Sequence, residues 1–478
     1  MKTLLLASLC FTSFFSHADG LPDLGDISQE AISPQQEQQI GEQSMLQIRA
    51  EKSYLDDSEI ADYLNVLGDS LVFNSSEPGQ PFEFFALNDN SINAFALPGG
   101  FIGVNSGLIL VSQSESELAS VMSHEIAHVT QHHLARMVSG QKVDSLASLA
   151  LIAAAILSAR SNPDAAMATM IGVQAGGIQR QLTFTRQHEQ EADRIGLGIL
   201  QKSGYDTRAM PAFFERLQKS TRLLEGNTPP YLRTHPVTNE RIADIANRVQ
   251  QMPHHPVSSS LNYYLVRAKL QLLQKTPAEA IAYFSAALDT QKHGNPVAQR
   301  YGLVLSLLRN NQIPLAEQTF SPLRKHIASN PMIATLTGQL LRADRQTQKN
   351  PEQSAIDFYR NATLNFPQHR ALTYDYVEVL LQYKHYNDAV TLLNQQVIAH
   401  PNDPHLYELQ ARTYAALGRN QEEHHALAYN YILHGNLRGA IEQLELAKHA
   451  GNNFQELSTI DTELKQFREI AAAQEKKN

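Results

Sequence analysis

The 478-residue chain predicts a mainly α protein in two parts, a helical domain carrying a small β-sheet and then an all-α repeat array. Three observations predict it. Apolar residues recur at three-to-four spacing through most of the chain, which is the helical period. Between residues 82 and 104 that period gives way to short apolar runs around Pro98-Gly99-Gly100, the texture of strands and a turn. Beyond residue 256, small and aromatic residues return with a period of 34.

Residues 1–18 read as a secretory signal peptide: Lys2, an apolar core from Leu4 to Phe15, then Ser16-His17-Ala18. That core is too short to span a membrane. Cys10, the only cysteine, lies inside it and follows Leu9, which argues against lipidation. The mature chain therefore has no thiol, and metal ligation falls to carboxylates and to its 19 histidines. A net charge of −9 with no basic stripe argues against a nucleic-acid partner.

From Gln35 to Leu71 the pattern gives two helices, broken near Asp56-Asp57-Ser58, which also supplies a cap. Phe82 to Leu87, Ala94 to Leu97 and Phe101 to Val104 read as strands, the last two joined by the Pro-Gly-Gly turn. An extended peptide could add to an exposed edge here, or the hairpin could be purely structural.

Glu115 to Arg136 reads as one helix with Leu118, Val121, Met122, Ile126, Val129 and Leu134 as its apolar stripe. It carries Ser123-His124-Glu125-Ile126-Ala127-His128. Residues four apart on a helix share a face, about 6 Å apart along the axis, so His124 and His128 can close on one metal. Glu125 then points beside it towards water, a zincin-like arrangement in which zinc lowers that water's pKa to about 7 and the carboxylate takes the proton. A surface helix bearing two histidines by chance is the alternative.

Two histidines need a third ligand. Gln131 and Leu134 stand where a metzincin would have glycine and histidine, and His132, roughly 12 Å along the axis from His124, cannot join both histidines on one metal without breaking the helix. His132 and His133 are thus poor candidates, and His132 is expected at the surface or behind the ligands. Downstream, Arg186-Gln187-His188-Glu189-Gln190-Glu191-Ala192-Asp193 opens a helix ending at Ser203-Gly204. Glu189 and Asp193 share a face, so one could bind metal while the other orients an imidazole, unless they are ordinary solvated charges.

Three motifs together, Asn93-Ala94-Phe95-Ala96-Leu97-Pro98-Gly99-Gly100, His124-Glu125-Ile126-Ala127-His128 and Glu189-Gln190-Glu191-Ala192-Asp193, resemble the HtpX and CAAX-prenyl-protease family of zinc endopeptidases. A fourth, Thr234-His235-Pro236-Val237-Thr238-Asn239-Glu240-Arg241-Ile242, agrees, and the match covers Gln35 to Val249. The resemblance implies one zinc ion on His124, His128 and Glu189. It implies Glu125 as general base, Asp193 supporting the catalytic group, and His235 as a fourth zinc ligand that acts as a latency switch in soluble periplasmic members. Asn93, Ala94, Phe95 and Ala96 would bind substrate along the strand, with Arg241 reaching the active site.

Residues 145–159 and 165–177 are small and apolar but short of the about 20 a spanning helix needs, which suggests a buried or mobile hairpin beside the site, or an amphipathic lid that touches a membrane or an unfolded substrate. After Met252-Pro253-His254-His255-Pro256 the chain is helical. Ala355, Tyr359 and Pro367 are followed 34 residues later by Ala389, Leu393 and Pro401, the tetratricopeptide period. Ala268, Ala280, Phe284 and Ala287 give the same frame earlier, Gly302, Ala316 and Phe320 fit with a slip, and Ala411, Tyr414, Gly418 and Leu427, then Ala440, Leu444 and Ala447, continue it. Such an array offers a concave face to peptides or proteins. The division is therefore residues 1–18 signal, 19–255 peptidase, 256–470 repeats and 471–478 a loose tail. An exported zinc endopeptidase with repeats and no spanning helix resembles the family's soluble periplasmic branch. Its implied partners are unfolded or stalled outer-membrane β-barrel proteins and, through the repeats, the barrel assembly machinery. The rival is a non-proteolytic chaperone or scaffold with a silent zinc site.

Overall fold

The structure, a computed structural model, describes residues 32–138, 186–223, 229–290, 294–344, 350–451 and 454–475. The signal-peptide stretch and the apolar segments 145–159 and 165–177 lie outside the described residues. Helix α1 (Pro34–Arg49) starts on a capping box: the Gln36 amide donates to the Ser33 hydroxyl while the Ser33 amide donates to the Gln36 side chain. Helix α2 (Ser58–Val72) starts where the sequence places the break, with the Asp57 carboxylate accepting from the amides of Glu59 and Ile60.

Strands β1 (Glu83–Leu87), β2 (Ala94–Leu97) and β3 (Phe101–Asn105) form one sheet in the order β1-β3-β2. The β2–β3 pair is antiparallel and the β1–β3 pair parallel. The intervening Gly99 and Gly100 both take positive φ, 77° and 87°, which explains two glycines after the proline. Among the described residues β2 pairs only with β3, so it is a sheet edge.

After α3 (Ser106–Val111), helix α4 (Glu115–Thr130) lies between α2, the hairpin and two later helices, and is buried on nearly every face rather than along one stripe. It also ends earlier than the pattern predicts. The helix expected from Glu115 to Arg136 stops at Thr130, His132 turns the chain at φ 48°, and α5 (His133–Val138) runs on in a new direction, so Leu134 leaves the α4 face.

Helix α6 (Arg186–Lys202) lies along α4 so closely that a Cβ on Gly196 would sit 3.0 Å from the His124 amide nitrogen. Helices α7 (Ala209–Leu223), α8 (Pro230–Thr234) and α9 (Asn239–Gln250) complete the domain, α9 capped by Thr238.

The repeats are helix pairs: α10 (Leu261–Leu273) with α11 (Pro277–Thr290), α12 (Pro296–Arg309) with α13 (Ile313–Phe320), and α14 (Pro331–Ala343) with α15 (Pro351–Asn365). Then come α16 (Arg370–Gln382) with α17 (Tyr386–Ala399), α18 (Pro404–Ala416) with α19 (Asn420–Leu433), and α20 (Leu437–Ala450) with α21 (Phe454–Glu475). Ala355, Tyr359, Ala389 and Leu393 are buried as the period requires, and Gly302 gives way to the ring of Phe284. Helix α13 is short because Pro322 tips the chain into a 3-10 turn, Ser321–His326. Helix α21 continues to Glu475, so the segment from 471 is helical up to that point.

The array is not a separate bead. Ile60, Leu118, Val121 and Ile245 of the first domain share one apolar core with Tyr263, Val266, Tyr301, Leu307 and Leu336 of the repeats. Above that core the N-terminal turn of α2 carries acids that three repeat helices receive. Lys269 of α10 donates to Glu59 at 2.6 Å and Asp57 at 2.8 Å, Tyr301 of α12 donates to Glu59 at 3.4 Å, and Arg370 of α16 donates to Asp62 at 2.7 Å. His369 Nε2 lies 3.3 Å from the other Glu59 oxygen. Burial pushes the Glu59 carboxyl up, but Lys269 and His369 outweigh it and bring it down to about 2. Among the described residues no helix is long and apolar enough to cross a membrane.

Candidate metal centre

Four side chains from three elements converge beside the sheet edge. His124 and His128 stand one turn apart on α4, Glu189 comes from α6, and His235 follows α8, its amide donating back to the Tyr231 carbonyl at 2.8 Å. One donor atom from each lies within 4.8 Å of the others. His124 is 0%, His128 3%, Glu189 2% and His235 2% exposed, so the centre is closed from solvent on the sides the described residues form. Glu189 lies 3.5 Å from Nε2 of both α4 histidines. His235, read from pattern alone as an unassigned loop residue, donor atoms included, is brought into the cluster: its Nδ1 is 2.9 Å from Glu189 and its Nε2 is 3.7 Å from Glu125.

The donor set fits a metal ion. His124 Nε2 and His128 Nε2 face each other at 3.0 Å with a carboxylate beside both, two lone pairs brought together where only a cation can satisfy both at once. Burial lowers the pKa of His124, but Asp193 and Glu189 outweigh it and raise it to about 9, while burial and the neighbouring His124 push that of His128 well down. Although burial opposes it too, His235, His124 and Arg241 hold Glu189 well below the usual carboxylate range, as a ligand needs. Three nitrogens and an oxygen are a zinc-type set.

The outer nitrogens are held as well. His124 Nδ1 lies 3.1 Å from Asp193, and Arg241 grips Asp193 through two hydrogen bonds of 2.7 Å. Arg241, expected at the substrate, also reaches Glu189 through its Nη1 at 2.6 Å and the Pro236 carbonyl at 2.8 Å. Its fit is that of a brace for both acids. His128 Nδ1 meets His133 Nδ1 at 2.9 Å. The break at His132 makes that contact. His132 itself turns outward, where hydrogen bonds to Glu37 and Glu77 raise it to about 10, and burial pushes His133 down to about 4.

Glu125 is 0% exposed, its carboxylate lies beside the Ala96 amide and 3.7 Å from His235 Nε2, and burial pushes its carboxyl up. The buried Tyr231 hydroxyl has no hydrogen-bond partner among the described residues, and its ring stacks on His235 with centroids 4.9 Å apart. Of the strand residues, Asn93 and Ala94 are buried, Phe95 and Ala96 half-buried, and β2 lies alongside α4. The Asn93 carbonyl accepts from the Asn105 amide at 3.0 Å, and the Tyr231 amide donates to the Ile92 carbonyl at 3.3 Å, which ties the His235 helix to the start of the edge strand. Sequence reasoning missed His133, Glu191 and Tyr231; the adjacent histidines after the motif were the only trace.

Residues 60–249 match the sequence profile of Peptidase family M48, and residues 352–413 match a Tetratricopeptide repeat profile. Across 438 residues the chain is 35% identical to the Beta-barrel assembly-enhancing protease of Escherichia coli (strain K12), covering 91% of this chain and 88% of that protein. It is 34% identical over 426 residues to the protein of the same name from Yersinia pestis, covering 88% and 86%. It is 35% identical over 425 residues to a Putative beta-barrel assembly-enhancing protease of Vibrio cholerae, again covering 88% and 86%.

Proposed function

The chain belongs to peptidase family M48 and is a metalloendopeptidase, and from that premise we propose a periplasmic zinc enzyme that promotes assembly of outer-membrane β-barrel proteins and degrades those that misfold or stall. The buried convergence of His124, His128, Glu189 and His235 beside the buried carboxyl of Glu125 carries this reading.

One zinc ion per chain would sit on His124, His128 and Glu189, with His235 at the fourth position, and when bound it supplies a Lewis acid that polarises a peptide carbonyl and acidifies water. The chain's own residues do the rest. Glu125, raised by burial, is suited to take the proton of the attacking water and hand it to the departing amine. Asp193, braced by Arg241, orients His124. The edge of β2, with Asn93, Ala94, Phe95 and Ala96, accepts an extended substrate as an added strand, which selects unfolded over folded chains. His235 keeps the resting site closed, so cleavage waits on its displacement. The repeats dock the barrel assembly machinery or deliver its stalled clients.

The test is Glu125→Gln in the full chain. Cleavage of casein falls by about 10²–10⁴ with metal content unchanged. Undiminished cleavage rules out the mechanism. Barrel assembly in cells, followed in parallel, tells whether the assembly role survives without cleavage.

A further inference from the structure

His128 has two ring nitrogens, and only one faces the donor cluster. Nε2 lies 3.0 Å from His124 Nε2, whereas Nδ1 lies 2.9 Å from Nδ1 of His133. A straight continuation of α4 could not make the second contact, since five residues on a side chain is rotated by about 140°. The turn at Gln131 and His132 supplies the difference. His132 is held at its φ of 48° from two sides, with Glu37 at 3.7 Å and Glu77 at 3.3 Å.

Once turned, His133 is 0% exposed and its ring stacks on His188 with centroids 4.6 Å apart and 18° between the planes. Its Nε2 lies 3.2 Å from Glu191, and Arg136 donates to the same carboxylate oxygen at 3.0 Å. Glu191 is two residues beyond Glu189 on α6, about 200° round the helix, so one helix provides a carboxylate inside the centre and another behind it.

Counting hydrogens sets the direction of the chain. An ionised carboxylate only accepts, so His133 Nε2 carries the hydrogen that goes to Glu191. The neutral ring then has a bare Nδ1, which accepts from His128 Nδ1–H and leaves the His128 Nε2 lone pair for a metal. We propose that His133 and Glu191 are positioning residues for His128, a two-step relay that fixes its tautomer and ring orientation for metal binding. This rests on the metallopeptidase reading and extends it. The two ligand histidines are supported unequally: His124 meets a carboxylate directly, His128 through a second imidazole.

The experiment uses the purified full chain with His133→Leu, His133→Asn and Glu191→Leu. Zinc dissociation constants are read by competition with a chromogenic chelator, and thermal midpoints are taken on the metal-free proteins. Both leucine variants weaken zinc binding by about 10–100-fold, and His133→Asn, whose amide oxygen can still accept from His128, regains most of it. Leucine variants that hold zinc like the wild type overturn the relay. So does His133→Asn as weak as His133→Leu, or an affinity difference matched by one in metal-free midpoint, which assigns the effect to folding. A wild-type chain that takes up no zinc sinks the metallopeptidase reading itself.

Discussion

At the scale of single residues, burial sets the chemistry of the centre. His235 touches Glu189 at 2.9 Å and stacks on Tyr231, and under the proposed function it would occupy space that an incoming carbonyl needs. His235→Ala is expected to raise casein cleavage by roughly three- to tenfold, the effect of removing a closed state favoured by about 1 kcal/mol. Level or lower cleavage would make His235 a substrate or structural residue. The spacing of His124 and His128 made those positions legible, because a helix fixes what lies four residues on. The donor from α6 was legible only as a choice between Glu189 and Asp193, since a periodic pattern says nothing about which acid two elements will enclose. The pairing of Arg241 with Asp193 and Glu189 was not legible, because a guanidinium between two acids looks in sequence like any helix charge.

At the scale of elements, the break between α4 and α5 departs most from pattern. A non-glycine residue in the left-handed region costs roughly 1–2 kcal/mol, and here two acids offset it. His132→Ala loses both partners and keeps the strained backbone; His132→Gly loses the partners but relieves the strain. Urea unfolding should therefore find the glycine variant more stable than the alanine variant by about 1 kcal/mol. Equal stabilities would mean that the turn is not held by His132. Gln131-His132-His133 contains neither glycine nor proline, so no local signal marks the break, whereas Asp57, Pro98-Gly99-Gly100 and Gly204 announced theirs through caps and turns. The strands were readable almost to the residue for the same reason.

At the scale of the whole molecule, the junction between peptidase and repeats concentrates charge out of water. Lys269→Met takes the cation from buried Glu59 and leaves it only Tyr301 and His369, which is expected to cost about 3–5 kcal/mol, measured by urea unfolding. A loss under about 1 kcal/mol would show that water reaches the pair. The depressed Glu59 carboxyl also gives acid sensitivity. Below the ordinary value of 4.5 the unfolded chain takes up a proton that folded Glu59 refuses, so this group's stabilisation is full above 4.5 and disappears as pH falls to about 2. Glu59→Gln should flatten the pH dependence of unfolding in that window. None of this was legible, because Lys269 lies 210 residues from Glu59 and no short pattern spans that gap. The shared interior has a further consequence for biogenesis. A polypeptide made N-terminus first exposes the greasy flank of α2 and α3 until the repeat helices from Leu261 onward have arrived, so the peptidase interior stays open until then. Truncation after residue 255 should thus yield an aggregating fragment instead of a smaller enzyme, and the timing of maturation is written into where the last wall of the interior is encoded.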